Sequence, residues 1–191
     1  MKQEEAIKNM TRSDIKRLLL INQLLFIALA FGLSFLFFTD FSVWFDLFDW
    51  SIKEIMVYSI IPSILIISID LVLTYLLPKH YYDDGGINER IFQSLTQVEI
   101  FFAAVFIAIS EELLFRGVLQ TTIGFVPASI LFALIHIRYL KKPILLGYVL
   151  IVSFCLGYLF ELTNNLLVTI TIHFLIDFIM GLIIRSQKRG A

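Results

Sequence analysis

Unbroken apolar stretches, each long enough to cross a bilayer, constrain this chain more than any other feature. Roughly 30 Å of hydrocarbon at about 1.5 Å rise per residue calls for about 20 apolar residues in a helix. Leu18 to Phe38 and Ile55 to Leu77 meet that length, as do Ile144 to Phe160 and Leu166 to Ile184. Val98 to Leu119 is a further run, broken by Glu111, Glu112 and Arg116, and Phe125 to Leu140 is a shorter one. The simplest reading is an all-α polytopic membrane bundle of about six transmembrane helices. Composition supports it: 59% of residues are hydrophobic and only 16% are charged, against about 25% charged in soluble domains. Mean hydropathy is +0.87. Disorder and a disulfide scaffold are excluded, an ordinary soluble enzyme is disfavoured, and a net charge of −1 provides no basic field for nucleic acid.

The basic residues set the expected orientation. With both termini cytoplasmic, the inner segments hold Lys2, Lys8, Arg12, Lys16, Arg17, Lys79 and Arg90. They also hold Arg138, Lys141, Lys142, Arg185, Lys188 and Arg189, leaving only Lys53 in an outer loop. Excess Lys and Arg on the inside is the expected bias. Lys16-Arg17 followed by Ala28-Leu29-Ala30 has the outline of a signal peptide, but the apolar run continues to Phe38, so a retained anchor is expected. The chain reads as one membrane domain over residues 1–191. Residues 1–97 form a leader and scaffold helices, and residues 98–185 carry the chemistry. The loop from Thr39 to Glu54 reads as an interfacial aromatic belt, and Asp83-Asp84-Gly85-Gly86 as a turn. Cys155, within an apolar run, is expected to be a packing residue.

Function is sought among residues that are expensive in hydrocarbon. A charged side chain at the centre of a span costs about 2.5–3.5 kcal/mol on insertion scales. The set is Asp70, Glu111, Glu112, Arg116, His136, His173 and Asp177. Glu112 and Arg116, four apart, share a helix face and suit a structural ion pair. Glu111 lies about 100° further round the helix, free to face a cavity, and a desolvated carboxylate there suits a general base. His173 and Asp177 are also one turn apart. Two histidines and a free acid from three helices can activate water and stabilise an oxyanion. Asp70 stands alone as a helix contact or a partner of Arg116 or a hydroxyl, and Phe115 and Phe132 read as packing residues.

The series Glu111-Glu112-x-x-x-Arg116, Phe132-x-x-x-His136 and His173-x-x-x-Asp177 resembles the CPBP family. These are the CAAX-protease and bacteriocin-processing (Abi-type) intramembrane proteases. The resemblance runs from about Glu99 to Ile184 and includes Thr163. It implies a metal-independent glutamic endopeptidase without a cofactor, acting on membrane-associated peptide or protein substrates. Catalytic roles fall to Glu111, His136, His173 and Asp177, with Glu112 and Arg116 supporting. Position 177 is Asp where the CAAX-cleaving relatives have Asn. It then either orients His173 as a carboxylate or donates as a protonated acid, since an ionised Asp only accepts. The family resemblance also admits a non-catalytic alternative, a membrane interaction protein such as a bacteriocin self-immunity factor. A zinc site of Glu111, His136 and His173 is disfavoured by the absence of close ligand pairs. The expected location is a prokaryotic plasma membrane, in contact with lipid.

Overall fold

A computed structural model describes residues 6, 7 and 9–187. Lys2, Lys8, Lys188 and Arg189, counted above among the inner cations, lie outside the described residues, as does the side chain of Lys79. The described residues form helices and connecting turns without strands. The principal helices are α1 (Arg12–Phe37), α2 (Ile52–Leu76), α3 (Ile87–Ser94), α4 (Gln97–Glu112), α5 (Phe125–Ile135), α6 (Pro143–Thr163) and α7 (Leu166–Ser186). Among the described residues α1, α2, α6 and α7 are the helices long and apolar enough to cross a membrane. The fold is therefore a polytopic helical membrane bundle.

Local sequence starts and stops these helices. Thr11 and Asp14 form a capping box on α1, and Thr96 and Glu99 form another on α4; each satisfies two otherwise orphaned amides. Pro143 opens α6, where its missing N–H costs nothing. Asn164 ends that helix in the left-handed region (φ 47°), which Asn tolerates. Asn165 then accepts the Leu167 amide and starts α7. Two asparagines thus reverse the chain between antiparallel helices. The outer faces of α1 and α2 are apolar and exposed, as at Leu24, Phe35, Ile61 and Leu65, as lipid contact requires.

The two remaining expected spans take other forms. The helical course of α4 continues as a π-helix over Leu113–Gln120 and one last α turn, Thr121–Ile123. A π segment widens the helix and often marks a functional site. α5 has 11 residues, about 16 Å of helix, only half a bilayer. It ends because His136 leaves helical geometry (ψ 57°) and a 3-10 turn, Ile137–Tyr139, follows.

One apolar cluster joins Ile66 and Ile67 of α2 to Leu156, Val168, Ile172 and Ile176 of α6 and α7. A second joins Ala30 of α1 to Leu114, Phe115, Val118 and Phe132 of the π segment and α5. α5 and α6 pack closely because Gly157 has no side chain; a Cβ there would lie 2.6 Å from the Phe125 ring. The 39–54 loop is only partly a belt. Phe45 is 83% exposed, but Leu47 is buried and its carbonyl accepts the Leu166 amide at 2.8 Å. Trp44 packs directly over Gly117. Cys155 departs from expectation: it is exposed on the outer face of α6 and does not pack in the core.

Candidate active site

Glu111 occupies the last turn of α4, where the helix gives way to the π segment, and is 7% exposed. Its neighbour Glu112 is fully buried; adjacent side chains diverge around a helix, yet both carboxylates reach the same imidazole, that of His173 on α7. Arg116 lies one turn on, its Nε 3.4 Å from Glu112 Oε2. The guanidinium also donates from Nη2 to the Ser153 carbonyl at 3.2 Å and sits 4.9 Å above the Phe132 ring. An Arg that is 0% exposed is tolerable only with such compensation, since an unpaired buried charge is very costly. This pair therefore joins α4, α5 and α6. Arg116 is engaged there, with Glu112 and Ser153; of the alternatives for Asp70, pairing with Arg116 is not among the ion pairs of the described residues.

Glu112 does more than neutralise Arg116. Its Oε1 lies 2.9 Å from Nδ1 of His173 on α7. A carboxylate only accepts, so Nδ1 carries the hydrogen. The other ring nitrogen, Nε2, stands 3.9 Å from Glu111 and 3.7 Å from Asp177. One imidazole is thus surrounded by three carboxylates, one behind it and two beside its free edge.

His136 is held differently. Its Nδ1 lies 2.8 Å from the Phe132 carbonyl, which can only accept, so Nδ1 is protonated and Nε2 presents a lone pair. The ring is tilted against Phe132 (centroids 5.1 Å apart, 39° between planes) and stacks on Tyr139 (5.7 Å, 14°). Phe132 also contacts the His173 ring (6.0 Å) and Phe115 (5.0 Å). A residue expected only to pack therefore touches both histidines and the buried arginine.

Glu111, His136, His173 and Asp177 all line one cavity of about 820 Å³. His136, half-buried at the C-terminal end of α5, sits about 16 Å along from the start of that helix. Residues before position 97 form much of the wall, including Gln23, Phe26, Asp70 and Asp84. Gln23 is buried and hydrogen-bonded to the Ser110 hydroxyl beside Glu111 (2.6 Å). Among the described residues no group of three or more His, Cys, Asp and Glu is arranged to hold a metal ion.

Sequence spacing could not locate Tyr139, Arg138 or Asp84. Arg138 donates to the Tyr139 hydroxyl (2.8 Å) and lies 3.6 Å from Asp84. Asp84 in turn accepts the Ile87 and Asn88 amides at the start of α3. Burial holds the Asp84 carboxyl above the usual carboxylate range, and the Arg138 charge offsets part of that rise. The sequence signals were the Asp83-Asp84-Gly85-Gly86 turn and the place of Arg138 among the inner cations, neither of which points to a site.

Residues 93–179 match the family model described as type II CAAX prenyl endopeptidase Rce1-like. The chain is 41% identical over 167 residues to the uncharacterized protein YpbD of Bacillus subtilis (strain 168), covering 87% of this chain and 88% of that one. No solved structure matches.

Proposed function

The chain belongs to the Rce1-like, CPBP family of CAAX-protease-type membrane peptidases, and from that premise we propose a glutamic intramembrane endopeptidase. The observation that carries the reading is the convergence of Glu111, His136, His173 and Asp177, from three helices, on one cavity. A water between Glu111 and the Nε2 lone pair of His136 loses a proton to that pair as its oxygen attacks a peptide carbonyl carbon. The carbonyl oxygen becomes an oxyanion facing His173, which acts as an imidazolium among its three carboxylates and donates its Nε2–H to that oxygen while Nδ1–H stays on Glu112. Glu112, behind Nδ1, and Asp177, beside Nε2, hold that ring in place. As the tetrahedral intermediate collapses, the C–N bond breaks. The leaving nitrogen takes the proton that the water gave up.

In this reading the substrates are membrane-associated peptides or proteins, the site works without metal, and both termini are cytoplasmic in a prokaryotic plasma membrane. The test compares purified wild type and Glu111→Gln on labelled membrane-anchored peptides, with and without chelator. Cleavage by wild type alone, unchanged by chelator, is expected. Cleavage by both proteins would overturn the role of Glu111. Loss of wild-type cleavage in chelator with recovery in zinc would replace the glutamic mechanism with a metal one. A Glu111→Gln protein with full function in cells would favour a membrane interaction protein, such as an immunity factor.

A further inference from the structure

A general base works only if its ring is held in one orientation, and one hydrogen bond to Phe132 leaves the His136 ring free to tilt. Stacked on it is Tyr139, 6% exposed and nearly parallel to the imidazole. The Tyr139 hydroxyl accepts from Arg138 Nη2 at 2.8 Å and from Asn88 Nδ2 at 3.1 Å. The Arg138 guanidinium also covers the Tyr139 ring, 4.7 Å from its centroid, and pairs with Asp84. Asp84 is fixed by the amides of Ile87 and Asn88. An unbroken series of contacts therefore runs from the start of α3 to the imidazole.

We propose that Tyr139 is a positioning residue for His136, and that Arg138, Asp84 and Asn88 hold Tyr139 in place. Two of the four, Asp84 and Asn88, precede the family-matched stretch of residues 93–179. The segment before α4 is thus part of the machinery that sets the base. Stacking on Tyr139 keeps Nδ1 on the Phe132 carbonyl, and this keeps the Nε2 lone pair directed at the cavity. The inference rests on the proteolytic reading for its effect on rate, but not for its effect on the imidazole itself.

The experiment therefore reads the imidazole directly. Nitrogen-15 NMR of histidine-labelled protein in lipid nanodiscs reports which ring nitrogen of His136 carries hydrogen, and a His136→Gln protein assigns the signal. Wild type should show the Nδ1–H tautomer alone. Tyr139→Leu should show a mixture of tautomers, and kcat on a cleaved membrane-anchored peptide should fall by about 10²-fold with little change in KM, as expected for a misplaced catalytic group. Tyr139→Phe keeps the ring but loses two hydrogen bonds, so its kcat should stay within about tenfold of wild type. A folded Tyr139→Leu protein with a single Nδ1–H signal and wild-type kcat would overturn the proposal. If Tyr139→Leu does not fold, Tyr139→Met, which fills a similar volume without a ring, replaces it, and an unchanged tautomer in that variant overturns the proposal equally. A protein that cleaves no peptide yet shows the tautomer shift would count against proteolysis alone. Cleavage retained with no shift would count against this inference alone.

Discussion

Glu112 and His173, 61 residues apart in sequence, meet at 2.9 Å in the middle of the bundle. The same carboxylate faces Arg116. One side chain therefore serves both the stability of the helix packing and the orientation of a site histidine, and substitutions should separate the two.

Glu112→Ala leaves Arg116 buried without its countercharge and should cost about 3–5 kcal/mol of stability. Glu112→Gln keeps an acceptor for His173 Nδ1 and should cost less. Thermal unfolding in detergent should rank wild type above Glu112→Gln, and Glu112→Gln above Glu112→Ala. A reversed order of the two variants would mean that the acceptor for His173 Nδ1 adds nothing to stability, and a Glu112→Gln protein as stable as wild type would mean that the buried charge is not what holds Arg116.

Glu111→Gln should lose about 10²–10⁴-fold in peptide cleavage, the usual contribution of a general base. Its melting temperature should not fall, because the substitution removes a buried charge without creating a void. A parallel loss of folding would show Glu111 to be structural.

Phe132→Ala empties the space among Phe115, Arg116 and both histidines. A cost of about 3–5 kcal/mol is expected for a buried Phe, together with a loss of cleavage larger than the stability change accounts for. Phe132→Leu fills part of that volume and should recover most of the stability but not the rate. Unfolding midpoints and initial rates on the same preparations check both.

Gly157→Ala tests the close approach of α5 and α6. The added Cβ would meet the Phe125 ring at 2.6 Å and Ser129 Oγ at 2.9 Å, and overpacking of this kind costs about 1–3 kcal/mol. Because α5 carries Phe132 and leads into His136, cleavage should fall as well. An unchanged midpoint would show that the two helices can part.

Asp84 gives a pH signature outside the spans. Its carboxyl is held above the usual range by burial, so the folded protein favours the protonated form more than the unfolded chain does. Its contribution is stabilising below the ordinary carboxylate pKa and is lost as pH rises through the raised value. Asp84→Asn should flatten that part of the stability curve. Parallel curves for the two proteins in acid would contradict the assignment.

Much of this was written in the sequence. Apolar runs fixed the helical membrane architecture, because only closed backbone hydrogen bonding survives in hydrocarbon. The four-residue spacing of Glu112 with Arg116 and of His173 with Asp177 announced contacts that the fold makes, since helical periodicity turns spacing directly into geometry. The capping boxes at Thr11 and Thr96 were equally local.

Only the tertiary structure decided the rest. That α5 stops at Ile135 cannot be read from an apolar run that continues past it, because where a helix ends among other helices depends on what packs against it. The second role of Glu112, the hold of Phe132 on both histidines, and the series from Asp84 through Arg138 and Tyr139 to His136 join residues with no common periodicity. Local sequence specifies hydrogen bonds along a helix. The contacts that orient a site run between helices, and they exist only once the whole bundle has closed around its cavity.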